Sequence, residues 1–424
     1  MKLLFLSLMF LSFSSWSHAS SVAKEIQENA IASDIYSASL SQEEKNFLDP
    51  KIKDKRFVFL GEPDHYFEEK FSYRLKFIEH LLSQGFTHIL DEMGVSDGEM
   101  VQNYLETGDE DYLKKLGLYG FKYGQALTES DRNFVRSSKR YLRKLRLLKL
   151  KHPKLIYGGF DLDIYPGTAY LQLDDFFKKY KFAFLNEFEN SVNLSKSFSG
   201  GERLERLRKA YKDFLKVKYR LSRYLEEKEL IHFQLILRNF VASVEIRERF
   251  STSNYSKEDL VWREEQMFKN MLARFQLDPA QQKYVLLGHN GHLTKTVDQY
   301  LDLNGVQQWY AIGTWINDHF PKQAFGVWSL IGQGEHSGHG CENKETCYFS
   351  SPESTLEYEL LKIETERSLL FSTQLPSLKN SKELIKFFDS GSVIYQGPLS
   401  LQADAIYFIP RVSDVGPLSE KKND

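Results

Sequence analysis

The alternation of strand-like and helical patterns along the chain predicts an α/β fold. Five short, mainly apolar runs are typical of β-strands, at residues 56–60, 87–90, 155–159, 284–287 and 405–409. A helical pattern separates the first two runs, and a long basic helix precedes the third. Strands that alternate with helices pair in parallel, with the helices packed on the sheet. We therefore expect a mostly parallel central sheet flanked by helices.

A long helical stretch interrupts this alternation between the third and fourth predicted strands. From about residue 202 to 250, apolar residues recur at helical spacing without a strong turn cluster. The pattern predicts a helical hairpin inserted into the α/β domain, at about residues 200–275. Such an insertion would form a lid or one wall of a cleft; the alternative is that it only adds packing bulk.

The N-terminus has the features of a secretory signal. Lys2 is followed by an almost purely apolar run at residues 3–13, which is too short to span a bilayer. Small residues at 17 and 19 suit a signal peptidase, so we predict a signal peptide over 1–19 and one domain over 20–424. No later run is long enough for a membrane helix. The mature chain is therefore expected to be exported, periplasmic or secreted, without an integral membrane segment.

Charge and cysteine content narrow the classes of partner. The 56 Lys and Arg residues against 58 Asp and Glu residues give a net charge of −2, which lacks the basic excess of a nucleic-acid binder. In an oxidising compartment Cys341 and Cys347 are expected to form a disulfide. The alternative is a metal site in which Cys341 joins Glu335, His336 and His339. The sequence leaves the oligomeric state open.

Acid–base residues follow four of the predicted strands, where a parallel sheet binds its ligands. They are Glu62, Asp64 and His65; Asp91 and Glu92; Asp161 and Asp163; and His289 and His292. Two of these turns share the form Gly-x-x-x-His, at 61–65 and 288–292. A neutral imidazole oriented by Glu62 or Glu92 would act as a general base near neutral pH. Arg74 would then stabilise the oxyanion formed when water attacks a carbonyl.

A second motif offers a serine nucleophile instead. Residues 94–98 match G-x-S-x-G and lie between a strand and a helix. In a nucleophile elbow the serine follows the strand directly, whereas three residues, 91–93, intervene here. We therefore favour Ser96 as part of the start of a helix over 99–105, with the nucleophile as the alternative.

Taken together and in this order, these motifs resemble the erythromycin esterase-like family. The resemblance rests on a strand followed by Gly-Glu-x-x-His at 61–65, Glu69 and Arg74 on the next helix, Glu92, Gly-Phe-Asp at 159–161, Arg263, Met267 and Asn270, His-Asn-x-His at 289–292, and the strand at 404–408. The matches span about residues 56–409. Tyr66 departs from the glycine that the family often has there, and the cysteine-bearing loop is extra.

The resemblance implies a hydrolase that uses neither a metal nor a covalent intermediate. His65 would be the general base that activates water. Glu62 and Glu92 would orient His65 or the water. Arg74 and His289 would stabilise the tetrahedral intermediate. The supporting residues would be Glu69, Asp161 and His292.

The expected function is hydrolysis of an ester, or a lactone such as a macrolide, in a small-molecule substrate without a cofactor. One alternative is a metal-dependent hydrolase with His65, His289, His292 and carboxylates as ligands. Another is a non-enzymatic periplasmic protein that binds haem or a different hydrophobic ligand.

Overall fold

The computed structural model describes residues 21–116, 129–163, 166–252, 256–277, 282–336, 347–379, 385–389 and 393–415. The predicted signal peptide lies outside these residues, as do Cys341 and His339. Export, the disulfide and the metal site in that loop therefore stay predictions. None of the described helices is long and apolar enough to cross a membrane.

Twelve strands and fourteen α-helices are found in the described residues. The strands are β1 Ile31–Ser33, β2 Phe57–Glu62, β3 Phe86–Gly94, β4 Ile156–Asp161, β5 Lys283–His289, β6 Leu301–Asp302, β7 Ala324–His336, β8 Cys347–Ser350, β9 Ser368–Ser372, β10 Ile385–Asp389, β11 Val393–Gly397 and β12 Ala405–Val412. The helices are α1 at 21–29, α2 Gln42–Ile52, α3 Glu69–Ser83, α4 Val95–Thr107, α5 Glu129–Lys151, α6 Pro166–Lys179, α7 Asn186–Ser195, α8 Gly200–Leu221, α9 Glu227–Thr252, α10 Lys257–Leu277, α11 Ile312–His319, α12 Leu356–Ile363, α13 Pro376–Lys379 and α14 Leu399–Gln402.

The chain divides into two compact units. The first is drawn from Met1–Phe86, Thr128–Leu148 and Lys283–Asp424, and the second from Thr87–Leu127 and Lys149–Gln282. In the first unit six strands follow the order β1-β9-β12-β7-β2-β5, and β8 pairs with β7. The neighbours β12, β7, β2 and β5 are parallel, whereas β1, β9 and β8 pair antiparallel. Strands β10, β11 and β6 form a small antiparallel sheet of their own.

The second unit contains the parallel pair β3–β4, helix α4 and helices α6 to α10. The β3–β4 register runs from His88↔Ile156 to Gly94↔Asp161, with an irregularity between Asp91 and Gly94. The predicted α/β fold with a mostly parallel sheet and flanking helices is thus confirmed.

Helices α6 to α9 share an apolar core in the second unit. The core includes Phe176, Phe188, Phe214 and Phe240, all nearly inaccessible to solvent. Residues 200–275, predicted as an inserted hairpin, contain three helices, α8, α9 and α10. Helix α8 ends and α9 begins on either side of residues 222–226, a segment in which the sequence shows no strong turn signal.

Candidate active site

Strand β2 ends at a close contact that fixes the position of Glu62. All six residues of β2 are buried. A Cβ on Gly61 would collide with Oδ1 of the buried Asn290 and lie 3.0 Å from Cδ1 of Trp328, so a larger residue would force the Asn290 side chain to shift. The backbone N–H of Asn290 donates to the carbonyl oxygen of Glu62 at 2.8 Å. The ends of β2 and β5 are therefore held together at the level of Glu62.

Glu62 is the centre of a buried charge cluster in the first unit. Its side chain is 1% exposed. Oε2 lies 2.9 Å from Nη2 of Arg74, and Oε1 accepts a hydrogen bond from Nζ of Lys70 at 3.3 Å. Burial alone would raise the pKa of Glu62, but the charges of Arg74 and Lys70 and the hydrogen bond with His65 lower it well below its ordinary value. The carboxylate is therefore ionised at neutral pH.

His65 is oriented by this carboxylate. Its Nδ1 lies 2.6 Å from Oε1 of Glu62, and its side chain is 20% exposed. An ionised carboxylate only accepts hydrogen bonds, so Nδ1 carries the proton and donates a hydrogen bond to Glu62. That tautomer leaves Nε2 as the nitrogen that takes up a proton, which is the requirement for a general base.

His289 reaches the same region because β5 pairs with β2 in register. Glu62 lies opposite His289 in the parallel ladder, and the imidazole centroids of His65 and His289 are 5.8 Å apart. Nδ1 of His289 accepts from the backbone N–H of Gly291 at 3.1 Å, and its Nε2 donates to the carbonyl of Pro63 at 3.0 Å. Both ring nitrogens are therefore held by the backbone, and the ring has one defined tautomer.

His292 lies next to His289, whereas Glu69 contacts Tyr36 and Ser413. The His292 ring centroid is 6.2 Å from that of His289, and the side chain is largely buried. Glu69 accepts hydrogen bonds from the backbone and hydroxyl of Ser413, both at 2.8 Å, and from the hydroxyl of Tyr36. Burial raises the pKa of Glu69. Its contacts join the start of α3 to the segment after β12.

In the second unit, Arg263 contacts two carboxylates of the predicted site, Asp161 and Glu92. It donates to both oxygens of Asp161, from Nε at 3.3 Å and from Nη2 at 2.5 Å. The same Nη2 lies 3.9 Å from Oε1 of Glu92. Asn270 donates to the carbonyl of Phe160 at 3.1 Å, which fixes the end of β4. Asp161 is thus held as a bidentate partner of an arginine.

The G-x-S-x-G segment forms the first turn of α4 and not an exposed elbow. Gly94 is the N-cap, and Ser96, the second helical residue, is fully buried. Its hydroxyl donates to Oδ2 of Asp163 at 2.9 Å, and its backbone N–H donates to Oδ1 at the same distance. This placement fits the preferred helix-start interpretation, although the helix begins earlier than residue 99. It gives no support to Ser96 as a nucleophile.

Lys70 belongs to the site region, where it contacts Glu62, but the sequence analysis did not name it as a candidate. Lys70 precedes Arg74 by four residues on α3, so the two cations lie on one helix face. The sequence signal for Lys70 was this spacing from Arg74.

Within the described residues, no group of three or more His, Cys, Asp or Glu side chains is arranged to hold a metal ion.

Fold and site together define an α/β protein with histidine and carboxylate groups at the ends of parallel strands. The sequence profile described as Erythromycin esterase matches residues 82–396, about three quarters of the chain. The chain therefore belongs to the erythromycin esterase family. Family membership supports a hydrolase with a small-molecule substrate. No curated protein has a significantly similar sequence.

Solved structures share the fold across nearly the whole chain. A succinoglycan biosynthesis protein is 18% identical, with a TM-score of 0.70, over 93% of this chain and 97% of that one. A Bacillus cereus protein is 16% identical, with a TM-score of 0.72, over 94% and 98%. A histidine-to-asparagine mutant of the erythromycin esterase EreC, in its open conformation, is 17% identical, with a TM-score of 0.65, over 90% and 97%.

Proposed function

We propose that this protein hydrolyses an ester or lactone of a small-molecule substrate, with water activated by His65 as general base. The observation that supports this most strongly is the 2.6 Å contact between His65 Nδ1 and Glu62 Oε1. When Nε2 takes a proton from water, the ring becomes an imidazolium, and the adjacent carboxylate stabilises that charge. The side chain of His65 is 20% exposed, so the ring is partly accessible to water.

The tetrahedral intermediate would be stabilised by Arg74 and His289 under this proposal. Arg74 carries a permanent positive charge that its contact with Glu62 holds in place. His289 donates from Nε2 to Pro63, so it would have to exchange this backbone bond for one to the oxyanion. Glu92 would orient the water or His65, and Glu69, Asp161 and His292 would support the site.

The test is hydrolysis of a panel of esters and lactones, including macrolides, with mass spectrometry to detect the gain of one water. His65→Ala is expected to lower kcat by about 10²- to 10⁴-fold, the usual contribution of a general base. Glu62→Gln should also lower kcat, because it removes the charge that stabilises the imidazolium. His319→Ala is the matched control, since His319 is exposed on α11. Wild-type turnover by His65→Ala would refute the mechanism.

The proposed reaction uses no metal. Dialysis against a chelator should therefore leave kcat unchanged. Loss of activity that one divalent cation restores would favour the metal-dependent alternative, in which the same histidines act as ligands.

We also propose that the protein is exported and cleaved after Ala19, with a disulfide between Cys341 and Cys347. The support is the charged and apolar pattern of residues 1–19 and the cysteine spacing. The intact mass of the protein recovered from the exporting cell, with and without reduction and alkylation, decides both points.

A further inference from the structure

Asp64 and His336 form a buried pair beside the turn that carries His65. Their side chains are each 3% exposed, and Nδ1 of His336 lies 3.3 Å from Oδ2 of Asp64. The other oxygen of Asp64, Oδ1, accepts from the backbone N–H of Tyr66 at 2.7 Å. This second bond closes an Asx turn that encloses His65 itself. Asp64 therefore joins the backbone around His65 to a side chain distant in sequence.

His336 is held firmly by the sheet. It is the last residue of β7 and lies opposite Cys347 in the antiparallel pair β7–β8. The ring of Phe349, also on β8, packs edge-on against the imidazole, with centroids 5.2 Å apart and an interplanar angle of 84°. Strand β7 also pairs in parallel with β2, the strand that leads into the turn. The sheet and Phe349 therefore hold His336 in place beside the turn at residues 63–66.

We infer that Asp64 and His336 are positioning residues for the hydrolysis proposed above, on which this inference rests. We do not propose that either residue contacts the substrate. Asp64 holds the turn at 63–66 in the conformation that places Nδ1 of His65 against Glu62, and His336 anchors Asp64. A general base works only when its ring has the right position and tautomer, and a displacement of about 1 Å can cost about 10²-fold in rate.

The experiment compares two substitutions of His336 that differ in one property. His336→Leu removes the group that faces Asp64, whereas His336→Asn keeps an N–H donor close to the position of Nδ1. His336→Leu is expected to lower kcat by about 10- to 100-fold with KM within about 2-fold of wild type. His336→Asn should recover kcat to within about 3-fold of wild type. A purely structural role would not produce this split between kcat and KM or this rescue.

A second readout requires no substrate. The proton in the short bond between His65 and Glu62 is expected to resonate downfield of the amide region in a proton NMR spectrum, and His65→Ala should abolish that signal. In His336→Leu the signal should shift or broaden. If His336→Leu does not fold, Asp64→Ala provides the same test, because it removes both the contact with His336 and the bond to the Tyr66 N–H.

The outcomes separate this inference from the proposed function. An unchanged downfield signal, or wild-type kcat, in a folded His336→Leu or Asp64→Ala variant overturns the positioning role. If His65→Ala keeps full activity, the general-base mechanism itself is wrong, whatever the variants of His336 show.

Discussion

Replacement of Gly98 by alanine tests whether the glycines of the G-x-S-x-G segment serve packing. Gly98 is the fourth residue of α4, and a Cβ there would collide with the backbone nitrogen of Gly159 and lie 2.5 Å from the carbonyl carbon of Gly158 and 2.9 Å from Cα of Gly159. These are backbone atoms of β4, which is paired with β3. They cannot rotate aside as a flexible side chain would, so the helix or the strand must shift.

The expected cost follows from two opposing effects. Overpacking a filled site costs about 1–3 kcal/mol, and a clash with several backbone atoms belongs at the upper end of that range. Alanine regains about 1 kcal/mol through its higher helix propensity. Gly98→Ala should therefore lower the free energy of unfolding by about 2 kcal/mol net.

The matched control is Gly201→Ala, in the first turn of α8. A Cβ on Gly201 would meet only Oε2 of Glu248, at an ordinary 3.9 Å. This variant should gain about 0.4–1 kcal/mol, because alanine restricts the unfolded chain. Urea unfolding followed by far-UV circular dichroism gives both values. If Gly98→Ala were as stable as Gly201→Ala, the close-packing argument would be refuted.

Two further predictions concern the carboxyl group that Ser96 contacts. Ser96→Ala should keep the kcat of the wild type and lose about 1–3 kcal/mol in unfolding free energy, since it removes a bond to the buried Asp163; labelling of wild-type Ser96 by a fluorophosphonate would contradict this. Burial and the charge of Asp97 raise the pKa of Asp163 to about 7. The unfolded chain therefore releases this proton first, and the native state loses stability as pH rises from about 4 to 7. Asp163→Asn lacks this titration, so its stability relative to wild type should rise by roughly 3 kcal/mol between pH 5 and 8; a difference that is the same at both pH values would contradict the assignment.

Strands β2, β3, β4, β5 and β12 were predictable because each contains a short apolar run with clear boundaries. Strand β2 was expected at 56–60 and lies at Phe57–Glu62, and β5 was expected at 284–287 and lies at Lys283–His289. Strand β7 was missed, although it has thirteen residues. It lies between β2 and β12 and is buried along most of its length, so its sequence does not alternate. Its three glycines imitate turn signals.

Some residues of the site can be predicted from the local sequence, whereas others are recognised only from contacts between residues distant in sequence. Glu62 and His289 were found because residues after parallel strands share one edge of the sheet. His336 was considered only as a loop ligand, because no local pattern shows that it faces Asp64. Ser96 shows the converse: a short motif names a residue type, while packing decides whether its hydroxyl faces a cleft or a buried carboxylate.

The pairing of Glu62 with His289 in the β2–β5 ladder means that the distance between the two imidazoles depends on strand register. Deletion of one residue within β5 would move His289 along the sheet by about 3.3 Å and turn its side chain to the opposite face. Length changes in the loops before β2 or β5 would leave that distance unchanged. The connections that precede β2 and β5 can therefore vary in length without separating the two rings.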